Sequence, residues 1–280
     1  MSVEYSLHQI WKIWTETFFY TILLFSLLSV STGKFQGLKN MIKSIFPFSF
    51  NLYWFITAYI MLILLIPFIN KLLLNLNHRE FVFLILILII INDLFVWTNN
   101  NVATYRSGLG TLITPYVIGG YIRKYGLKVR KKPIYFILCL LIMYFGDIVP
   151  LVLFGLNAGE RIFFGIIPLI AATLLFLMFT EIKPFYNRSI NLLATTVFSS
   201  YILTEYPLIR PKLWIFLQFK NIKNTFIADL FGAIVIFLLI YIIIFSIDLL
   251  RQWIFKKIGI NNIRVVNNAV NKINTFLIRK

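Results

Sequence analysis

Long apolar runs recur along the 280-residue chain, and only short polar segments separate them. A helix that crosses the hydrocarbon layer of a membrane needs roughly 20 mostly apolar residues. Apolar side chains make up 60% of the sequence and charged side chains 13%, whereas a soluble domain has about 25% charged residues. The sequence therefore predicts an integral membrane protein, and no segment is polar enough to form a soluble domain.

The apolar runs predict an all-α fold, a polytopic bundle of about eight transmembrane helices. Because the connections are short, neighbouring helices are expected to pack antiparallel. The membrane domain is predicted to cover residues 1–255. The predicted spans are 11–30, 52–69, 81–97, 109–122, 133–154, 162–179, 190–208 and 226–249.

Two further segments are predicted as amphipathic helices that lie in the membrane interface. In the first, apolar residues from Phe35 to Phe46 recur at helical spacing opposite Lys39, Asn40 and Lys43, a pattern typical of an interfacial helix. The second is a basic cytoplasmic tail, residues 256–280, which is expected to bind anionic lipid. The alternative for this tail is a segment folded against the bundle.

Positive charge dominates the chain, with 27 Lys and Arg against 10 Asp and Glu and a formal net charge of +17. The cations lie at predicted helix ends and not in one stripe, a distribution that argues against nucleic-acid binding and for a lipid bilayer as partner. Basic clusters tend to stay cytoplasmic. Both termini are therefore predicted to be cytoplasmic in the cell membrane, on the basis of the cluster Arg123, Lys124, Lys128, Arg130, Lys131 and Lys132.

Few side chains in the sequence are suited to metal binding or to histidine chemistry. Cys139 is the only cysteine and lies in an apolar run, and His8 and His78 are the only histidines. Both histidines are expected at the surface. The sequence predicts neither a disulfide framework nor a metal site nor a bound cofactor.

Acidic residues inside predicted spans are costly in a membrane and are candidates for function. For Asp93 and Asp147 an interhelical hydrogen bond or an interfacial position is the favoured interpretation. Glu16 is expected to face lipid if the bundle lacks a neighbour. Asp248 and Arg251 are predicted to form a surface ion pair at a membrane boundary.

The seventh predicted span differs because residues 199–211 concentrate hydroxyls, an acid and a guanidinium. Ser200, Tyr201, Thr204 and Glu205 fall on one face of a helix. Pro207 is expected to bend or end that helix and to open a cavity beside it.

Several segments together resemble acyltransferase family 3, the multi-span membrane O-acyltransferases, in particular the branch of Gram-positive bacteria that acetylates surface polysaccharides. The segments, in chain order, are NLYWFITAY from Asn51, LLIPFINK from Leu64, YVIGGYIRKY from Tyr116 and INLLATTVFSSYILTEYPLIRPKLW from Ile190. The resemblance covers about residues 11–255.

The resemblance implies an acyl-CoA donor, acetyl-CoA or another acyl-CoA, on the cytoplasmic side and transfer to a hydroxyl of a sugar or polysaccharide. Tyr201, Glu205 and Arg210 match the family's late-helix motif, whereas Thr204 stands where the family has a histidine. The first two of the family's ten helices, with another histidine, are expected to be missing. The chain is therefore predicted to have low or no activity by itself, as a truncated product or a diverged paralogue.

A candidate site follows from the chemistry of O-acyl transfer, which needs a base near the attacking hydroxyl. Glu205 is the candidate catalytic base, because a threonine cannot replace an imidazole. Aromatic rings suit sugar faces and arginine suits an anionic group, although an interfacial aromatic belt also explains many of the rings. The candidate substrate-binding residues are Tyr53, Trp54, Tyr59, Tyr201, Thr204 and Arg210.

Two alternatives to an enzyme remain open. Buried acids and short loops also suit a glycan or lipid transporter, although no inverted repeat is visible. A non-catalytic membrane subunit, as a homodimer or as a partner in a glycan-assembly complex, fits the absence of the family histidines.

Overall fold

The computed structural model describes residues 3–94, 108–126, 132–149, 153, 166–180, 182–217 and 226–259, and none of these residues lies in a β-strand. The all-α prediction is confirmed for this part of the chain. The helices are α1 (Val3–Thr32), α2 (Leu38–Ile45), α3 (Trp54–Asn75), α4 (His78–Ile89), α5 (Gly108–Tyr125), α6 (Lys132–Met143), α7 (Ile166–Thr180), α8 (Arg188–Thr204), α9 (Arg210–Leu217) and α10 (Phe226–Ile258). One π-helical turn, Ile90–Leu94, follows α4, and another, Tyr144–Ile148, follows α6.

Three of these helices are long and apolar enough to cross a membrane, namely those that contain Glu4–Thr32, Trp54–Asn75 and Ile234–Ile258. Shorter apolar helices occupy Ile134–Gly146 and Ile166–Thr180. The helical membrane bundle is thus confirmed, and the count of eight spans stays a prediction. The largest shift in a helix end is in α10, which continues to Ile258 where the sequence predicted an end at residue 249.

The helices form two compact units. The terminal unit comprises residues 2–57 and 186–280, and the central unit comprises residues 58–185. Helix α3 begins at the end of the first terminal-unit segment and continues into the central unit.

Helix α2 is the first predicted amphipathic segment, and its apolar and polar residues separate as expected. Its Ser44 is buried, and the main-chain oxygen of Ser44 accepts a hydrogen bond of 2.7 Å from the hydroxyl of Thr21 on α1. This bond ties α2 to α1. The tail predicted to be amphipathic lies, from residue 260 onward, outside the described residues.

In the central unit, side chains fix the start of α4 and the π-helical turn that follows it. Asn77 and Glu80 form a reciprocal capping box at the start of α4, which satisfies main-chain N–H groups that have no partner within the helix. In the π-helical turn that follows, the Asn92 amide donates to the Thr114 hydroxyl of α5 at 3.1 Å. Asp93 beside it is buried. The side chain of Asp147 lies outside the described part.

Three helices of the terminal unit meet at a buried ionic cluster. Arg251 of α10 donates from Nε to Oδ1 of Asp248 at 2.7 Å, and its Nη2 lies 3.2 Å from Oε1 of Glu16 on α1. Asp248 is fully buried, and Glu16 and Arg251 are 6% and 7% exposed. The predicted pairing of Asp248 with Arg251 is correct, but its surface location is wrong. The expectation that Glu16 faces lipid is also wrong, because α8 and α10 cover it.

Hydroxyl and amide groups complete this cluster. Ser199 of α8 places its Oγ 2.9 Å from Glu16 and 2.5 Å from Asp248, and its single hydrogen can be donated to one carboxylate at a time. Tyr20 of α1 donates to Asp248 Oδ1 at 2.6 Å, and Gln252 donates to Oδ2 at 2.7 Å. Buried polar networks of this kind hold helices together only when their members are satisfied.

The variant Arg251→Met removes the cation and leaves two buried carboxylates without a counter-charge. We expect its free energy of unfolding to fall by about 3–5 kcal/mol, the range for breaking a buried ion pair. The measurement is denaturant unfolding of the detergent-solubilised protein, followed by circular dichroism. Lys256→Met is the matched control, since Lys256 is an exposed cation on the same helix. Equal losses in the two variants would contradict the structural role of the cluster.

The two carboxylates differ in their number of donors, which predicts unequal effects of neutral variants. Asp248 accepts from Tyr20, Arg251 and Gln252, whereas Glu16 contacts Arg251, and the Ser199 hydroxyl lies within hydrogen-bond distance of both carboxylates. In Asp248→Asn an amide N–H must point at one of these donors, so we expect a larger fall in melting temperature than in Glu16→Gln. The same melting experiment tests this order, and a larger fall in Glu16→Gln would refute it.

Candidate functional site

The chain turns sharply between α8 and α9, as Pro207 predicts. Helix α8 ends at Thr204, and Glu205 occupies its C-cap with φ −93° and ψ 4°. A proline at position 207 cannot continue the helical hydrogen-bond ladder. The main-chain N–H groups of Ile209 and Arg210 both donate to the Tyr206 carbonyl at 2.8 Å, which closes the turn before α9 begins. Glu205 and Arg210 thus lie on opposite sides of one tight turn.

Two tyrosines fix this turn to the rest of the terminal unit. Tyr206 is buried, and its hydroxyl lies 3.0 Å from the Ser44 hydroxyl of α2. Tyr53, just before α3, is also buried and donates to the Ile202 carbonyl at 3.0 Å. The last carbonyl groups of a helix receive no hydrogen bond from N–H groups of the same helix. The Tyr53 hydroxyl supplies a donor to one such carbonyl, that of Ile202, at the end of α8.

A pocket of about 400 Å³ opens between this turn and the start of α3. Its volume lies within the usual range of small-molecule sites, roughly 300–1,000 Å³. The pocket is lined by Leu52, Tyr53, Trp54, Tyr201, Glu205, Pro207, Arg210 and Pro211. A smaller cavity of about 130 Å³ shares Leu52 and Pro207 with it and adds Asn40 and Lys43.

One ion pair supplies the charged groups of the pocket. Nη1 of Arg210 lies 3.3 Å from Oε2 of Glu205, and the two side chains are 56% and 24% exposed. A guanidinium has five N–H donors, so contact with one carboxylate oxygen leaves donors for a ligand. Both charged groups are accessible from the pocket.

Aromatic rings form one wall of the same pocket. The ring centroids of the lining residues Tyr53 and Tyr201 are 6.0 Å apart, and Phe55, which does not line the pocket, packs against Tyr201 with ring centroids 5.6 Å apart. Trp54 is 44% exposed. Such rings present apolar faces that pack against the carbon faces of a sugar or against an aliphatic chain.

Comparison with protein families gives the context for this geometry. The family model described as an acyltransferase domain matches residues 2–251. The chain belongs to acyltransferase family 3. No curated protein and no solved structure matches it. Acyl transfer by a membrane protein is therefore the reaction class against which the chemistry of the pocket is judged.

Most of the residues predicted for an acyltransferase site come together in the pocket. Tyr53, Trp54, Tyr201, Glu205 and Arg210 all line it. Their roles in catalysis and binding stay predictions.

Thr204 and Tyr59 are not among the lining residues of this acyltransferase pocket. The Thr204 hydroxyl donates back to the Ser200 and Tyr201 carbonyls of its own helix, at 2.8 and 3.4 Å. Tyr59 is 39% exposed and belongs to the central unit.

Three of the lining residues were not predicted from the sequence as part of a binding site, namely Leu52, Pro207 and Pro211. Pro207 was predicted only to end the helix. Because it lies between Glu205 and Arg210, its ring also lines the cavity. Nothing local marks Leu52, whose position depends on the contact of Tyr53 with α8. Among the described residues no group of three metal-ligating side chains exists.

Tyr53→Phe removes the donor that satisfies the Ile202 carbonyl. We expect a loss of about 1–3 kcal/mol in the free energy of unfolding, the cost of a buried group left without its hydrogen bond. Denaturant unfolding in detergent measures this loss. Tyr186→Phe is the control, because Tyr186 is 81% exposed in the same unit. A Tyr53→Phe protein as stable as the control would show that this bond does not hold the site.

Proposed function

We propose that this chain is a membrane O-acyltransferase that transfers an acyl group, acetyl in the first instance, from acyl-CoA to a hydroxyl of a cell-surface sugar or polysaccharide. The observation that carries the proposal is the Glu205–Arg210 pair at 3.3 Å in an aromatic-lined pocket of a chain that belongs to an acyltransferase family. The pocket thus combines a candidate base, a cation for an anionic oxygen and surfaces for a sugar.

In the proposed reaction Glu205 removes the proton from the acceptor hydroxyl. With both termini predicted to be cytoplasmic, the pocket lies at the outer ends of its predicted spans, so the acyl thioester must reach it from the cytoplasmic side within the bundle. There the oxygen nucleophile attacks the thioester carbonyl carbon, a C–O bond forms, and the C–S bond to coenzyme A breaks. The proton passes from Glu205 to the leaving thiolate, which restores the carboxylate. Arg210 offers N–H donors to the carbonyl oxygen while negative charge develops on it.

The position of Thr204 supports the assignment of the base to Glu205. In the resemblance to the family this position carries a histidine, but the threonine hydroxyl here donates to the main chain of α8. Glu205 is the carboxylate among the pocket residues. It is the next residue along the chain and lies at the open end of the helix.

A non-catalytic membrane subunit is the second candidate function. The observation that favours it is the same Thr204 hydroxyl, which faces its own helix and lacks the chemistry of an imidazole. In that case the pocket would bind the sugar or the acyl donor without transferring the acyl group.

A transfer assay in membranes separates the two functions. Membranes that contain the full chain are incubated with labelled acetyl-CoA, and label is measured in surface glycan. We expect transfer to fall at least about 100-fold in Glu205→Gln, the lower range of the contribution of a general base. Arg210→Ala is expected to lower transfer as well, because it removes the donor to the carbonyl oxygen.

Glu4→Gln and Arg188→Ala are the matched controls, since both residues are exposed in the terminal unit and lie outside the pocket. They are expected to keep the wild-type rate. If wild type and all four variants give the same background signal, the enzyme proposal is wrong and the subunit function is favoured.

A further inference from the structure

The central unit contains a second and larger pocket, of about 1010 Å³, that the proposed reaction does not use. It lies where the C-terminal ends of α3, α5 and α7 meet the first turn of α4. Among its lining residues are Asn70, Tyr116, Gly119, Arg123, Lys124 and Phe176, and none of the lining residues is acidic.

We propose that this pocket binds an anionic phospholipid, with one acyl chain in the apolar groove and the phosphate at Arg123. The proposal rests on the charges and the shape of the pocket and is independent of the proposed acyl transfer.

The shape of the groove suits an aliphatic chain. A Cβ atom built on Gly119 of α5 meets no heavy atom within 4 Å, so the bare helix backbone faces open space at that point. Pro115 and Gly119 of α5 and Gly126, which directly follows α5, line the pocket, and Phe176 lines it from α7. In a bilayer an apolar groove of this size is filled by hydrocarbon because water cannot hydrogen-bond its walls.

The charges of the pocket favour an anion over a cation. The C-terminal ends of helices carry about half a negative charge each, which works against an anionic ligand. Lys124 offsets the partial negative charge at the C-terminal end of α3, because its Nζ donates to the carbonyls of Leu73, Leu74 and Leu76 at 3.1, 2.9 and 2.7 Å. Lys124 is thus a structural cation at the helix end.

Arg123 is the cation that is left for a ligand. It is exposed, lines the pocket and forms no ion pair or hydrogen bond with any residue in the described part of the chain. A headgroup phosphate accepts hydrogen bonds from two N–H groups of a guanidinium at once. Lipid rather than a soluble anion is the expected source, since the groove joined to this cation is apolar and lies at a helix end, where membrane headgroups are found.

Lipid binding to the delipidated full chain in a nonionic detergent tests the proposal. Phosphatidylglycerol and phosphatidylcholine with identical acyl chains are titrated, and bound lipid is counted by native mass spectrometry. We expect tighter binding of phosphatidylglycerol, and a loss of about fivefold in Arg123→Ala, the effect of one cation near a lipid phosphate. Arg79→Ala is the control, as Arg79 is exposed in the same unit but does not line the pocket.

A steric pair of variants tests the groove itself. Gly119→Phe should abolish the binding of both lipids because its ring occupies the groove, whereas Gly119→Ala should leave it within twofold because a single methyl group meets no heavy atom there. Equal affinity for the two lipids, or equal effects of Arg123→Ala and Arg79→Ala, would overturn the proposal. It would also be overturned if palmitoyl-CoA displaced phosphatidylglycerol and bound more tightly in an Arg123-dependent manner, because the pocket would then be a donor site.

Binding in the Glu205→Gln protein keeps the two proposals apart. This variant should bind phosphatidylglycerol as wild type does, whatever its transfer activity. Loss of acyl transfer with intact lipid binding would leave the lipid site standing, and the reverse result would leave the acyltransferase standing.

Discussion

The guanidinium of Arg251 between two buried carboxylates is the interaction on which the terminal unit depends. Apolar packing alone selects a helix arrangement poorly in a membrane, because lipid tails are as apolar as leucine side chains. A buried charge does select a helix arrangement, because burying a charged group without its hydrogen-bond and ionic partners costs a large amount of free energy. Glu16 from α1, Ser199 from α8 and Asp248 from α10 meet at this one point. The hydrogen bonds and ion pairs at this point fix how the three helices pack against one another.

The cluster also determines where the candidate site can form. Ser199 and Glu205 are on the same helix, about 9 Å apart along its axis at 1.5 Å per residue. One part of α8 is thus fixed by ions, and its C-terminal end is fixed by Tyr53 and Tyr206. Because the helix ends before the turn at Pro207, the side chains of Glu205 and Arg210 are partly exposed and do not pack in the interior of the unit. The turn that carries Glu205 and Arg210 is thus held by hydrogen bonds to neighbouring helices, and the proposed acyl transfer requires groups held in this way.

The sequence allowed the local part of this arrangement to be predicted. Helical spacing brought Tyr201 and Glu205 to one face, and Pro207 marked the turn, because both effects act within a few residues. The ionic cluster was not predictable in the same way. Glu16 and Ser199 are 183 residues apart. No local sequence pattern predicts which of the several acidic residues in apolar helices pairs with a cation that is distant in the chain. The spacing of Asp248 and Arg251 indicated a pair but not its burial, which depends on the packing of α1 and α8.

Two ion pairs of nearly equal length differ in burial, and therefore in how much free energy their separation costs. Arg251 and Glu16 lie 3.2 Å apart and are almost inaccessible, whereas Arg210 and Glu205 lie 3.3 Å apart with side-chain exposures of 56% and 24%. Separation of a buried pair costs about 3–5 kcal/mol, while an exposed pair contributes roughly 0–1 kcal/mol. Separating Glu205 from Arg210 therefore costs about as much as a single hydrogen bond contributes, whereas separating Glu16 from Arg251 costs several times more. The same chemistry holds the helices together in the buried pair and leaves accessible donors and acceptors in the exposed pair.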